Sequence, residues 1–304
     1  MKSHSPLEKF FTLNLILCML VVINIFFGPM VRATDSGLAC PDWPLCHGKV
    51  IPPPDFKNWM EVGHRIYSGI ISLILLAMMI WTARVEILRK NFFKPYILSF
   101  VIIVNQVVLG MLTVTKLLDP TTVNLHYLNA IFLLAIFATI ALKAQYLVAN
   151  SEEKNISLSS VFQKKTIVLY LTLIVIFFQL FLGGRVSSHY AGLACPDFPT
   201  CNGFFFPETE GVVKYQMEHR FGAYAVILFL GISFLLSKKF SFEKRSQFFL
   251  KSALHAAVLQ IGLGATNVLF QLPVLVTAMH SAIGAVVFIL AYGALYRQIL
   301  ADKQ

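Results

Sequence analysis

Four histidines fall at two pairs of matching positions. His64 corresponds to His219 at a separation of 155 residues, and His126 to His280 at 154. Two imidazoles presented from different elements can grip one transition-metal centre from opposite sides. Glu61 stands three residues before His64, so on a helix the two side chains share a face. A carboxylate there can accept a proton from whatever the imidazole holds. The matching residue in the second half is Gln216, an amide that cannot do so. One half is therefore expected to do chemistry while the other only holds a cofactor. The plainer reading keeps Glu61 as an acidic residue near a helix N-terminus, favoured by the helix dipole.

Four of the five cysteines form two more matched pairs, Cys40 with Cys46 and Cys195 with Cys201. They lie in Gly37-Leu-Ala-Cys40-Pro-Asp-Trp-Pro-Leu-Cys46-His-Gly48 and Gly192-Leu-Ala-Cys195-Pro-Asp-Phe-Pro-Thr-Cys201-Asn-Gly203, identical at nine of twelve positions. In an oxidising compartment each pair can close a short disulfide. Such a bridge is either a staple that shapes its loop or a thiol pair that exchanges electrons. Cys18 has no partner and reads as a small apolar residue. His4, His47 and His189 fall in the tail or in loops, and His255 matches Val101, so none of these four is taken as a ligand.

The elements that position these residues must live in lipid. Of the 304 residues, 57% are hydrophobic and 13% charged, with a mean hydropathy of +0.71. A water-soluble domain carries about 25% charged residues. Plentiful aromatics, 27 Phe and 10 Tyr among them, exclude a disordered chain. Eight spans are predicted, at roughly residues 11–31, 63–82, 95–115, 122–142, 166–184, 218–236, 249–268 and 274–296. The first is too long for a signal peptide and ends without a small-residue cleavage site. Of the 25 Lys and Arg, 17 lie on the side that holds both termini and the loops after spans two, four and six. The positive-inside rule then puts both termini in the cytoplasm and the two cysteine loops outside a cell membrane crossed many times. The net charge of +10 reports topology rather than a nucleic-acid partner.

The matches extend to Gln106 with Gln260 and Gly110 with Gly264, so the chain duplicates a four-span unit. The expected fold is an all-α integral membrane protein, eight transmembrane helices in two tandem pseudo-symmetric four-helix bundles. Residues 1–150 form one and 151–304 the other, divided at the polar stretch Ser151-Glu-Glu-Lys154 and Ser157-Leu-Ser-Ser160. An even number of spans per unit gives both halves one orientation. All four histidines then sit at the outward ends of spans. Imidazoles facing each other in such a bundle can ligate a haem iron from both sides. Arg65 and Arg220, next to His64 and His219, are candidates for the propionates. Arg32 and Arg185 can steer the same groups or simply snorkel. Zinc fits less well, because no further ligands stand at tetrahedral spacing.

Together these residues resemble the haem A synthase family, over about residues 11–297. The resemblance rests on the eight spans, the duplication, the Glu61-x-x-His64-Arg65 element, His126, His219, His280 and the Cys-Pro-Asp-Trp-Pro-x-Cys loop. It implies a membrane oxidoreductase that oxidises the C8 methyl group of haem O to a formyl group, giving haem A for cytochrome oxidase. By the same resemblance His219 and His280 would ligate a haem b cofactor. His64 and His126 would hold the substrate haem O, and Glu61 would be the catalytic carboxylate. Cys40 and Cys46 would be the loop pair that matters for activity. Family members often carry cysteines in only some of these loops, so pairs in both halves leave open which one acts. The implied partners are a haem O synthase and cytochrome oxidase assembly proteins; a homo-oligomer is compatible with this, and no electron donor is named. An alternative is a bis-histidine membrane electron carrier or quinol oxidoreductase, which needs haem near both faces. A transporter needs charged or broken helices at mid-membrane, where only Gln106, Gln260 and Asn105 stand out.

Overall fold

The computed structural model describes residues 5–150, 163–208 and 210–302. Its long helices are α1 (Pro6–Ala33), α2 (Phe56–Arg84), α3 (Glu86–Thr115), α4 (Pro120–Ala149), α5 (Ile167–Ser188), α6 (Gly211–Lys239), α7 (Lys244–Leu269) and α8 (Val274–Ala301). All eight carry a stretch long and apolar enough to cross a membrane. Among the described residues there is no strand, only two isolated bridges in the cysteine loops. The polar stretch at Ser151–Lys154 and Ser157–Ser160, and His4, lie outside the described residues.

Short polar residues fix where several helices begin. Ser5 and Glu8 form a capping box at α1, each side chain accepting the other's backbone N–H. Asp55, Asp119 and Glu243 accept N–H bonds in the first turns of α2, α4 and α7. Each helix outruns the span read from hydropathy. An apolar window closes at the first polar residues, whereas the backbone keeps its helical hydrogen bonds into the interface. The extra turns matter at α2, which starts at Phe56 and so carries Glu61 on the helix.

Helices α1 to α4 close a ring in which α1 packs on α2, α2 on α3, α3 on α4 and α4 on α1. Helices α5 to α8 close the same ring. The seam runs where α1 and α4 of one ring meet α5 and α8 of the other. Half of the apolar stretch of α4 is buried, against 17% in α3 and in α7, so α4 lies on the seam and those two face lipid. Polar bonds cross the seam. Asn124 donates to the Phe181 carbonyl at 3.2 Å, the Thr139 and Tyr292 hydroxyls meet at 2.6 Å, and Arg297 donates to Gln145. Gly184 allows the first of these, because a Cβ there would stand 2.0 Å from Oδ1 of Asn124.

Candidate functional site

The two cysteine loops are built alike. Cys40–Cys46 and Cys195–Cys201 are disulfide-bonded, each with Cα atoms 4.7 Å apart. Inside each loop an aspartate replaces missing backbone partners. Asp42 accepts the N–H groups of His47 at 2.7 Å and Gly48 at 2.8 Å. Asp197 accepts those of Asn202 at 2.6 Å and Gly203 at 2.9 Å, and the Thr200 hydroxyl. The Gly48 N–H above all holds the Asp42 carboxyl below the usual carboxylate range. The Thr200 hydroxyl, then the Gly203 N–H, brings Asp197 down to about 2. Gly48 and Gly203 take φ of 72° and 82°, which is the reason for glycine after each loop.

An arginine bolts each loop to the helix below it. Arg65 donates to the carbonyls of Asp42 at 3.0 Å and Leu45 at 2.7 Å, and pairs with Glu61. Arg220 donates to the carbonyls of Thr200 and, at 3.2 Å, Cys195. Both side chains expected near propionates are thus engaged under the loops. Arg32 reaches across the seam to the Ser187 carbonyl and lies over the Tyr190 ring at 4.2 Å. Arg185 pairs with Glu218 at 2.8 Å.

Glu61 is 4% exposed, and its carboxylate accepts the Cys40 N–H at 2.9 Å beside Arg65. It therefore ties the first disulfide, the arginine bolt and the helix of His64 into one unit. Gln216, equally buried, instead donates to the Gly192 carbonyl at 3.4 Å and leaves its Oε1 without a partner. Sequence spacing put Glu61 beside His64; its grip on the disulfide loop had no signal there.

His64 and His126 sit near the N-termini of α2 and α4, and His219 and His280 near those of α6 and α8. All four lie at the cysteine-loop end. The rings of His219 and His280 have centroids 6.1 Å apart. A glycine faces each ring. A Cβ on Gly183 would come within 3.0 Å of His219, and one on Gly110 or Gly264 within 3.1 Å of His126 or His280. At Gly28 the distance to His64 is 3.8 Å. His255 is exposed on α7, His47 is on its loop's surface, and His189 stacks on Tyr215 with centroids 4.2 Å apart, so these three stand apart from the four.

Side-chain amides surround the histidines. Gln179 lies 3.0 Å from Nδ1 and 2.9 Å from the carbonyl of His219. Gln260 donates to the His280 carbonyl at 2.6 Å. Gln106 contacts Nε2 of His126 at 3.3 Å and is itself held by Asn129. Sequence reading singled out Gln106, Gln260 and Asn105 but missed Gln179 and Asn129. Their signal was an amide inside an otherwise apolar run.

Twin helical rings, each closed at one end by a disulfide loop and each carrying two histidines toward that end, define a polytopic membrane protein of duplicated design. The chain belongs to the cytochrome oxidase assembly protein family (COX15-CtaA), which matches residues 11–292. It is similar to the haem A synthase of Shewanella oneidensis, 26% identical over 88% of this chain and 90% of that one. It is likewise similar to the haem A synthase of Halalkalibacterium halodurans, 27% identical over 94% of both chains. The haem A synthase of Listeria monocytogenes is 26% identical over 93% of this chain and 92% of its own.

Haem is therefore the group to set against the site, and the residues fit it. The 6.1 Å between the His219 and His280 rings is close to the ~6 Å that two metal–imidazole bonds of about 2.0–2.1 Å require. Nδ1 of His64, His126 and His280 is buried without a partner, while Nε2 of His64 and of His280 is not. At each ring the facing glycine meets Cε1, so no Cβ crowds that edge. Among the described residues no three His, Cys, Asp or Glu side chains are grouped to hold a bare metal ion.

Proposed function

We propose that this chain is a haem A synthase, a membrane oxidoreductase that converts the C8 methyl group of haem O to a formyl group. The observation that carries the proposal is the asymmetry between twin sites: Glu61 in one half, Gln216 in the other. In this reading residues 1–150 are the catalytic half, and His64 and His126 hold the substrate haem O by its iron. Residues 151–304 hold a haem b through His219 and His280. When bound, that haem supplies one-electron redox chemistry beside the substrate site.

The chain's own residues supply position and proton handling. The Cys40 N–H and Arg65 hold the Glu61 carboxylate in place on the His64 face of α2. There it accepts a proton as the methyl carbon is hydroxylated. Two hydroxylations give a hydrate that loses water to the aldehyde; the net change from CH3 and one water to CHO releases four protons and four electrons, the electrons leaving to an external oxidant such as dioxygen. Arg65 and Arg220, although engaged by the loop carbonyls, bring positive charge to the cysteine-loop end, where it would favour propionates. The excess of Lys and Arg at the other end supports cytoplasmic termini and disulfides on the outer side. Haem O is hydrophobic, so a haem O synthase is the partner that delivers it and cytochrome oxidase assembly proteins are those that receive the product.

A membrane-crossing bis-histidine electron carrier is the weaker reading, because it needs sites near both faces and these four histidines share one end. The test is pigment extraction from cells carrying the wild-type chain or Glu61→Ala. Wild type is expected to yield haem A, and Glu61→Ala to keep low-spin haem b while haem O accumulates. Normal haem A from Glu61→Ala would remove the catalytic role, and no haem A from the wild type would remove the function.

A further inference from the structure

In the first half a chain of amides runs to one histidine. Asn105 donates to Oδ1 of Asn129 at 2.8 Å. Asn129, 7% exposed, donates to Oε1 of Gln106 at 2.7 Å and to the Ile102 carbonyl at 3.0 Å. The Gln106 amide N–H then donates to Nε2 of His126 at 3.3 Å. At the matching places the second half has Leu259, Ile283 and Gln260. Without the two asparagines, the Gln260 side-chain amide turns to the His280 backbone carbonyl, and no bond from that side chain to the ring is formed. The other histidine pair differs in the opposite sense. Gln179 grips Nδ1 of His219 directly. Its counterpart Asn24, one carbon shorter, reaches only the Ser68 hydroxyl at 3.0 Å, which donates to the His64 carbonyl at 2.8 Å.

Amides inside a membrane-spanning bundle are costly unless joined, and a joined chain strengthens each of its bonds. The lone pair that Gln106 occupies on Nε2 is the one an iron would take. We propose that Gln106, aligned by Asn129 and Asn105, is a displaceable competitor for His126, and that it makes haem in the first half exchangeable while the second half retains its own. This rests on the reading that His64 and His126 hold the substrate haem. Gln106 is a positioning residue here, acting through the histidine. An enzyme that must release one porphyrin and keep another needs such a difference between otherwise matched sites.

The test measures haem release from the full-length purified protein loaded with haem O, using excess apomyoglobin as the trap. Haem O and haem b are counted separately by extraction. In Gln106→Met and Asn129→Ile, haem O release is expected to slow roughly five- to tenfold, the effect of removing one competing hydrogen bond. Haem b release is expected to stay as in the wild type. Turnover should show kcat and KM falling together, which loosened packing would not produce. Unchanged or faster haem O release overturns the proposal. If Asn129→Ile does not accumulate, Gln106→Met decides alone, since it keeps the Asn105–Asn129 pair. His126→Ala separates the two levels. If it binds haem O as the wild type does, the substrate-site reading fails. If it loses haem O while the amide variants release at the wild-type rate, only the competition fails.

Discussion

Alanine in place of the four glycines that face the histidines should have graded effects. Carbon–carbon contacts are most favourable at about 3.5–4.0 Å. A methyl group on Gly183 stands 3.0 Å from Cε1 of His219, and one on Gly110 or Gly264 stands 3.1 Å from Cε1 of His126 or His280. Each ring would have to retreat by about 0.4–0.5 Å to restore ordinary contact. His219 has little freedom to do so, with Gln179 on both its Nδ1 and its carbonyl. Overpacking of this size costs about 1–3 kcal/mol, and if it falls on ligand geometry it weakens haem binding about 5- to 150-fold. At Gly28 the methyl group would meet His64 at 3.8 Å, with no clash. There alanine should be neutral or stabilise α1 by up to ~1 kcal/mol, because glycine is a poor helix former. The assay is haem per chain after purification, followed by withdrawal with apomyoglobin. Gly183→Ala and Gly264→Ala should lose haem b, Gly110→Ala should weaken haem O, and Gly28→Ala should match the wild type. Gly110 and Gly28 serve the same site, so equal loss in those two variants would refute the reasoning.

The loops give two further expectations. Replacing Cys40 and Cys46 by Ala removes the staple on the N–H that Glu61 accepts. It should lower haem A formation more than replacing Cys195 and Cys201, where Gln216 makes no bond to the cysteine; equal losses in the two double variants would sever Glu61 from the first disulfide. The pH response of the second loop follows from Asp197. Its carboxyl is depressed from 3.8 to about 2, so its contribution is present above about pH 4 and lost as pH falls through about 2. Pepsin cleavage within residues 195–203 should rise across that window, and Asp197→Asn should abolish the rise; an unchanged profile would assign the response to another group.

Much of the architecture was legible because lipid writes strong signals. Eight apolar runs, the Lys/Arg bias and a repeat with nine identities in twelve positions are hard to imitate by chance. The four matched histidines were legible as a set for a related reason, since duplication doubles each polar interruption. What escaped was contact between elements distant in sequence. The separation of 21 positions between Cys40 and Glu61 carries no periodicity that announces a bond between them. Arg65 and Arg220 looked free for an anionic ligand, because adjacency to histidine is visible and a loop folding back onto the guanidinium is not. Gln179 was overlooked because its counterpart is Asn24, and a pair that differs in length and type does not register as a match.

The differences between the halves carry the functional argument further than their likeness. The shared parts are the rings of helices, the disulfide loops, the arginine bolts and the imidazoles, and being common to both halves they do not say which one works. The substitutions fall around the histidines and not on them. Glu61 replaces an amide, Asn105 and Asn129 replace Leu259 and Ile283, and the Asn24–Ser68 relay replaces a direct grip by Gln179. The first two add a charge or polar groups to the first half, and the third takes a hydrogen bond away from a ring. Buried polar groups such as Glu61 and Asn129 cost stability in a membrane bundle, and packing alone gives no reason for them at these two positions. A site that must admit a substrate, move its protons and let the product go has that reason, and a site that only stores a cofactor does not.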